Sequence, residues 1–434
     1  MTGPVEHLFR REAGRITATL VRIFGLRNLA LAEDVVQEAF CRALEVWPFK
    51  GAPDDPAAWL MATAKNCARD ALRRERTANR ASPELAEALG SEWSLAPTIE
   101  ELFAPHEVRD DLLRMMFSCC HPRLPETAQV ALVLHILCGF STEEVAAAFI
   151  NSHVAMEKRI ARAKKTLAGA GTLFDISSPR DFGTRLGAVH RALYLLFNEG
   201  YHSSSRDTAV SAQLCTEARH LTSLLLGHPL GRTPATYALA ALMALNLARL
   251  PARLDTAGDL LALADQDRTK WDRGKIDEGL KLLELSAGGP DLSSYHIEAA
   301  IASLHATAPS LAATDWPTII SLYDALLSIT ATPVVALNRA IAIAQAHGPE
   351  RGLEAVHAIA DRDRLARYPF YSATLGELEL RREHGERARE HFETALALTR
   401  NSTERRFIER RIRACSDVRP QLGKRVASKR TDSP

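Results

Sequence analysis

Three clusters of polar side chains set what this chain can do, and all three suit binding. Lys65, Arg69, Arg73, Arg74, Arg76 and Arg80 face only Asp70 and Glu75 over sixteen residues. Such an excess neutralises several phosphates and gives salt-sensitive binding to nucleic acid. The competing reading is a helix C-terminus satisfied by basic side chains. Earlier, Glu33, Asp34, Gln37 and Glu38 lie opposite Val35, Val36, Ala39, Phe40, Ala43 and Leu44. Those apolar residues recur at i, i+3, i+4, which predicts a core face. The acidic side is then either a solvated face or a dock for a basic partner. Later, His153 to Ala168 carries Lys158, Arg159, Arg162, Lys164 and Lys165 with one acid, Glu157. No nucleophile–base pair, phosphate-binding loop or metal cluster is recognisable. The expected activity is therefore non-enzymatic, with no cofactor and no metal. Cys119-Cys120-His121 lacks a second ligand pair at zinc-site spacing.

The elements that position these residues read as helix almost throughout, so the expected fold class is all-α. Period-two β-branched runs are missing, and Ala, Leu, Glu and Arg dominate. Helices are expected at 5–24, 30–47, 56–78, 107–120, 125–138, 142–149 and 152–169. Trp47 to Pro56 holds Pro48, Pro53, Pro56 and Gly51, which predicts a shaped loop rather than a helix. Aromatic groups beside such a loop can take up an unstacked base, at a gain of about 1–3 kcal/mol. A hydrophobic plug under a turn is the equal alternative. The short Ala-rich helix at Thr142, the turn Ile150-Asn151-Ser152 and the basic helix after it have the order of a helix-turn-helix. The second helix of that motif enters the major groove. Ala81 to Pro105, with three prolines, a glycine and five glutamates, suits an acidic linker.

After Arg180 the pattern becomes paired helices. Ala388, Phe392 and Ala395 repeat Gly352, Val356 and Ile359 at an offset of 36 residues, each set after a His-Gly turn. Ile319, Tyr323 and Leu326 give a fainter copy. Small–x3–large–x2–apolar is the inner-helix pattern of a tetratricopeptide unit.

The net charge of +1 decides nothing about partners. Seven cysteines, an odd number without a CxxC pair, read as reduced and mostly buried thiols. Met1 to His7 lacks a basic run before an apolar stretch, so no secretory signal is expected. No apolar stretch nears the ~20 residues that span a bilayer, because Arg, Asn or Pro interrupts each one. A cytoplasmic chain with no membrane partner is expected.

Taken together, "AEDVVQEAF", "AWLMATAKNCARDALRR", "LPETAQVALVLHILCGFSTEEVAAAF" and "MEKRIARAKKTL" resemble the extracytoplasmic-function type of the sigma-70 family of RNA polymerase sigma factors. "ALYLLFNEGY", "DWPTIISLYDALL", "PVVALNRAIAIA" and "HFETALALTRNSTERRFIERRI" resemble its subgroup with a fused tetratricopeptide-like domain. The resemblance implies region 2 at 5–80, a linker at 81–106 and region 4 at 107–170. A C-terminal regulatory domain would follow at 180–418, and a basic disordered tail at 419–434.

It further implies that Asp34, Gln37 and Glu38 dock on the β′ clamp helices of core RNA polymerase. The loop with Phe49 and Lys50 would hold a flipped base of the promoter −10 element. Lys65, Asn66 and Arg69 would read or position that element, and Arg73 and Arg74 would hold phosphates. His153, Glu157, Lys158, Arg159 and Arg162 would face the −35 element, and the β flap would pack on the apolar side of that unit. Glu157 departs from the usual basic or hydroxyl residue there; its carboxylate accepts from a cytosine amino group or excludes some sequences. The C-terminal domain is either a scaffold or, the favoured reading, a regulatory surface for a protein or the polymerase. Tyr194, Phe197, Asn198, Glu199 and Tyr201 are expected to dock the two halves of the chain, or to be core. A stand-alone helix-turn-helix activator and a pure repeat adaptor are the alternatives.

Overall fold

The computed structural model describes residues 4–79, 105–149, 151–171, 173–202, 208–256, 258–289, 291–399 and 402–416. Linker 81–106, except its last two residues, and tail 419–434 lie outside the described residues. Every regular element described is helical, and a lone bridge pairs Leu254 with Leu260. The chain divides at Ala240/Ala241 into two compact units.

The first unit begins with α1 (Pro4–Phe24), α2 (Leu29–Lys50) and α3 (Pro56–Asn79). Six consecutive residues of α1, Ile16 to Val21, are buried. An amphipathic surface helix buries one stripe only. Here α2 and α3 cover one side of α1, and α4 (Pro105–Cys119) with residues Val133–Leu137 covers the other. Gly14 permits that closeness, since a Cβ there would lie 1.9 Å from the Leu137 carbonyl oxygen.

α2 runs to Lys50 with Pro48 in its last turn, so the expected loop shrinks to Gly51–Asp55. Trp47 is buried edge-on to Trp59 at 5.5 Å, which fixes the turn that Pro48 weakens. Gly51, at φ 80°, closes the helix by donating to the Trp47 carbonyl at 3.0 Å. Leu44, expected in the core, is 58% exposed.

α5 (Glu126–Leu132) passes into a π-turn, Val133–Leu137, where the sequence predicts one regular helix. The Cys138 N–H reaches back five residues to the Val133 carbonyl, and Gly139, at φ 65°, ends the run. α6 (Thr142–Ala148) starts on a capping box. Ser141 Oγ accepts from the Glu144 N–H at 3.2 Å, and Glu144 Oε2 accepts from the Ser141 N–H at 2.8 Å. α7 (His153–Ala168) is capped by Ser152. A helical pair, α8 (Pro179–His202) and α9 (Thr208–Gly227), completes this unit together with the start of α10 (Pro234–Leu247).

In the second unit α11 (Arg273–Ser286), α12 (Ser294–Thr307), α13 (Trp316–Ile329), α14 (Pro333–His347), α15 (Pro349–His357), α16 (Pro369–Arg381), α17 (Gly385–Leu398) and α18 (Ser402–Ser416) each pack on the next. Both repeat triplets are buried, as their spacing predicts. Gly352 lets α15 lie on α14, where a Cβ would sit 2.4 Å from the Ala344 Cβ. At the second His-Gly turn the positive φ falls on Glu383, not on Gly385. The loop before α11 crosses to the last helix: Arg406 pairs with Asp259, and Arg410 binds Asp255 at 3.2 Å and the Leu260 carbonyl. Residues 234–252 are long and apolar enough to cross a membrane, contrary to the sequence reading, but 67% of them is buried in the protein.

Candidate nucleic-acid and partner interfaces

Helix α2 turns Val35, Val36, Ala39 and Ala43 inward. Asp34 and Gln37 are left exposed, and Glu38 is half-buried in a 2.5 Å pair with Arg42. The three residues proposed for polymerase contact therefore share one accessible ridge. Glu33, one position earlier, points elsewhere and is bound within the unit.

The proposed −10 residues fall on the end of α2 and along α3. Phe49 is 90% exposed, which is costly for an aromatic ring without a use, and Lys50 beside it is also exposed. On α3, Leu60, Ala64, Cys67 and Ala68 are buried, so Asn66 faces outward with Lys65 and Arg69 beside it. Arg73 and Arg74 lie in the last turns of α3, and their side chains are outside the described residues.

Met156, Ile160, Ala163 and Leu167 are buried at i, i+4, i+7 and i+11 and seat α7 on its unit. His153, Glu157, Lys158 and Arg162 project away from that seat, with Arg159 half-buried. Short α6 packs on α7 and buries Val145, Ala146 and Ala148, the element order of a helix-turn-helix.

One basic residue of α7 does not face outward. Lys164 Nζ binds Glu33 of α2 at 2.6 and 2.8 Å and lies 3.0 Å from His135 Nε2. Burial, and then Lys164, push the His135 pKa down. A second tie joins Arg22 of α1 to Asp111 of α4 at 2.8 Å, with Arg114 on the same carboxylate. Asp111 is fully buried, and burial raises its pKa despite both arginines. Beside these ties a cleft of about 690 Å³ is lined by Gln37, Phe40, His135, Phe140, Glu144 and Lys164. These contacts hold the N-terminal helices against the helix-turn-helix unit. The sequence carries no sign of them, since Glu33 and Lys164 are 131 residues apart.

The first helical pair of the extension meets the helix-turn-helix unit through an aromatic stack. Phe117 of α4 lies 4.4 Å from Phe182 and 5.1 Å from Phe174, and Arg185 sits over Phe174 at 4.7 Å. Phe197 and Tyr201 stack on each other within the α8–α9 pair, and Cys215 donates to the Phe197 carbonyl. Cys119 and Cys120 are fully buried; burial pushes the Cys120 thiol up to about 12 and Cys119 well above its ordinary value.

A helix-turn-helix seated on a helical unit is the frame of a DNA-binding module. Comparison with known proteins gives the family. Residues 8–78 match the family model for sigma-70 region 2, and 114–167 that for sigma-70 region 4. Residues 185–287 match a family of unknown function, DUF6596. An uncharacterized protein of Rhizobium meliloti is 40% identical over 94% of this chain and 95% of its own. The sigma factor CarQ of Myxococcus xanthus is 34% identical over 33% of this chain and 74% of its own. The probable sigma factor RfaY of Xanthomonas campestris is 31% identical over 35% of this chain and 36% of its own. No solved structure matches. The chain belongs to the extracytoplasmic-function type of the sigma-70 family of RNA polymerase sigma factors.

Proposed function

We propose that this sigma factor works in the cytoplasm by binding core RNA polymerase through the Asp34–Gln37–Glu38 ridge, which docks on the β′ clamp helices. Phe49, Lys50, Lys65, Asn66, Arg69, Arg73 and Arg74 then engage the −10 element. His153, Glu157, Lys158, Arg159 and Arg162 engage the −35 element, and the β flap packs on the apolar side of that unit. The observation that carries this reading is the outward face of α7, supported by a buried stripe and free of the region 2 contacts that hold Lys164. Each DNA contact is weak alone, and tethering both to the polymerase makes the second effectively intramolecular.

The two sigma units are held together by the Glu33–Lys164 and Arg22–Asp111 ties, so engaging two separated promoter elements requires them to part. Parting returns both partners of each pair to water, so its cost is set mainly by the packing that is lost. Polymerase binding offsets this cost by taking the two units separately.

For the extension, the α8–α9 pair is a scaffold, because Phe182 covers Phe117 of the helix-turn-helix unit. Regulation, through a protein or the polymerase itself, belongs to the helices after Ala241. The test is transcription reconstituted with core polymerase and promoter DNA. Asp34→Lys is expected to abolish initiation and leave the fold intact; full activity of that variant refutes docking through this ridge. A stand-alone activator would instead bind its site equally well without polymerase.

A further inference from the structure

The second unit contains an electrostatic arrangement that the sigma reading does not use. Trp271, 3% exposed, lies between two arginines, with the Arg268 guanidinium carbon 4.6 Å and that of Arg249 5.4 Å from its ring. Arg268 Nη1 caps the end of α12, donating to the His305 and Ala308 carbonyls at 2.7 Å each. His305, in the last turn of α12, contacts Trp316 edge-on at 5.3 Å. Four polar atoms of this cluster are shielded from solvent and have no hydrogen-bond partner among the described residues: Arg249 Nε, Arg268 Nη2, Trp271 Nε1 and His305 Nδ1.

Three of the four are obligate donors. Buried polar groups in native proteins are almost always paired, so such a group calls for an explanation. The charge balance is also one-sided. Burial, and then Arg249 and Arg268, disfavours a proton on His305, and burial, and then Arg249, lowers the Arg268 pKa. Neither arginine forms an ion pair with a carboxylate among the described residues, and Asp267 is occupied by Thr269. Two guanidinium groups around one indole, with unused N–H groups and no counter-charge, match what an oxyanion requires. Paired arginines give charge-assisted hydrogen bonds, the strongest available to such a group.

We propose that Arg249, Arg268, Trp271 and His305 form a binding site for one oxyanion, a phosphate or carboxylate group, inside the helical extension of this sigma factor. Trp271 Nε1 and Arg249 Nε donate to it, and Arg268 Nη2 donates while its Nη1 keeps the helix cap. His305, pushed down to about 4, enters the site as neutral imidazole and donates from Nδ1 in that tautomer. Binding would tie the segment around Arg268 to the end of α12, so the site can stiffen the extension in response to a small anionic molecule.

The test is fluorine NMR of the full-length chain labelled with fluorotryptophan. The Trp271 resonance is assigned with Trp271→Phe among the five tryptophans. Inorganic phosphate and acetate are titrated separately against chloride at equal ionic strength. Saturable movement of the Trp271 signal by either anion is expected, and the anion that saturates identifies the group. Arg249→Gln should weaken it by about tenfold or more, as for loss of a charge-assisted contact. Arg249→Lys, which keeps the charge without Nε–H, should fall between. Exposed Arg351→Gln should match the wild type. Movement that never saturates, or equal affinity in Arg249→Gln, overturns the proposal. Because the readout is binding by the isolated chain, its outcome does not depend on polymerase docking.

Discussion

Gly14→Ala separates the closed joint between the sigma units from both proposed binding faces. The added methyl would lie 1.9 Å from the Leu137 carbonyl oxygen and 2.7 Å from its carbon. An ordinary contact begins near 3.4 Å, so α1 and the π-turn must part by about 1.5 Å, since neither a Cβ nor the backbone it meets can rotate away. Overpacking costs about 1–3 kcal/mol, and an approach this close puts it at about 2–3 kcal/mol, against which alanine recovers roughly 1 kcal/mol of helix propensity. A net loss of about 1–2 kcal/mol lowers the melting temperature of a unit this size by roughly 2–8 °C in calorimetry. If parting of the units precedes promoter engagement, the same loss strengthens binding to core polymerase by roughly five- to thirtyfold, read by fluorescence anisotropy. The two effects have opposite signs. An unchanged or higher melting temperature refutes the close approach. A lower one with unchanged or weaker polymerase binding refutes the view that the joint opposes docking.

Three further outcomes follow from the described geometry. Phe49→Ala should leave stability within about 0.5 kcal/mol, as for an exposed site, while capture of single-stranded −10 DNA by the holoenzyme weakens by about 1–3 kcal/mol if the ring stacks on a base. Lys158→Ala should weaken −35 binding and flatten its salt dependence, because its side chain projects from the outward face of α7. Burial pushes the His190 pKa down to about 4, and its Nε2 lies 2.7 Å from Thr236 Oγ1. The folded state therefore resists a proton that the unfolded chain accepts below its ordinary 6.5, so stability present above that value is lost as pH falls toward 4. His190→Gln should flatten the melting profile across this window, and an equally steep profile contradicts the assignment.

Much of the fold was legible in local sequence. Ser141 and Glu144 announce a helix start, and the buried stripe Met156–Ile160–Ala163–Leu167 follows from its spacing. What escaped reading depends on packing. Pro48 signals a loop, yet Trp47 against Trp59 holds the helix past it. The π-turn at Val133–Leu137 has no composition of its own and is set against α1 at Gly14. Lys164 looks like its basic neighbours on α7, and only its distant partner Glu33 distinguishes it. The joint to the extension includes Phe117, Phe174 and Phe182, of which the first is far from the other two in sequence, and they share no motif. Arg249, Arg268, Trp271 and His305 are scattered over three segments and share no motif. The ridge at Asp34, Gln37 and Glu38 was readable because one helix supplies all three.

The most direct measurement is site-specific photocrosslinking from position 34 and position 153 in a reconstituted complex of the full-length chain, core polymerase and promoter DNA. The account predicts adducts from position 34 to the β′ clamp helices, and from position 153 to DNA near −35 only when core polymerase is present. Position 34 failing to reach β′, or position 153 labelling the same DNA equally without polymerase, would contradict it.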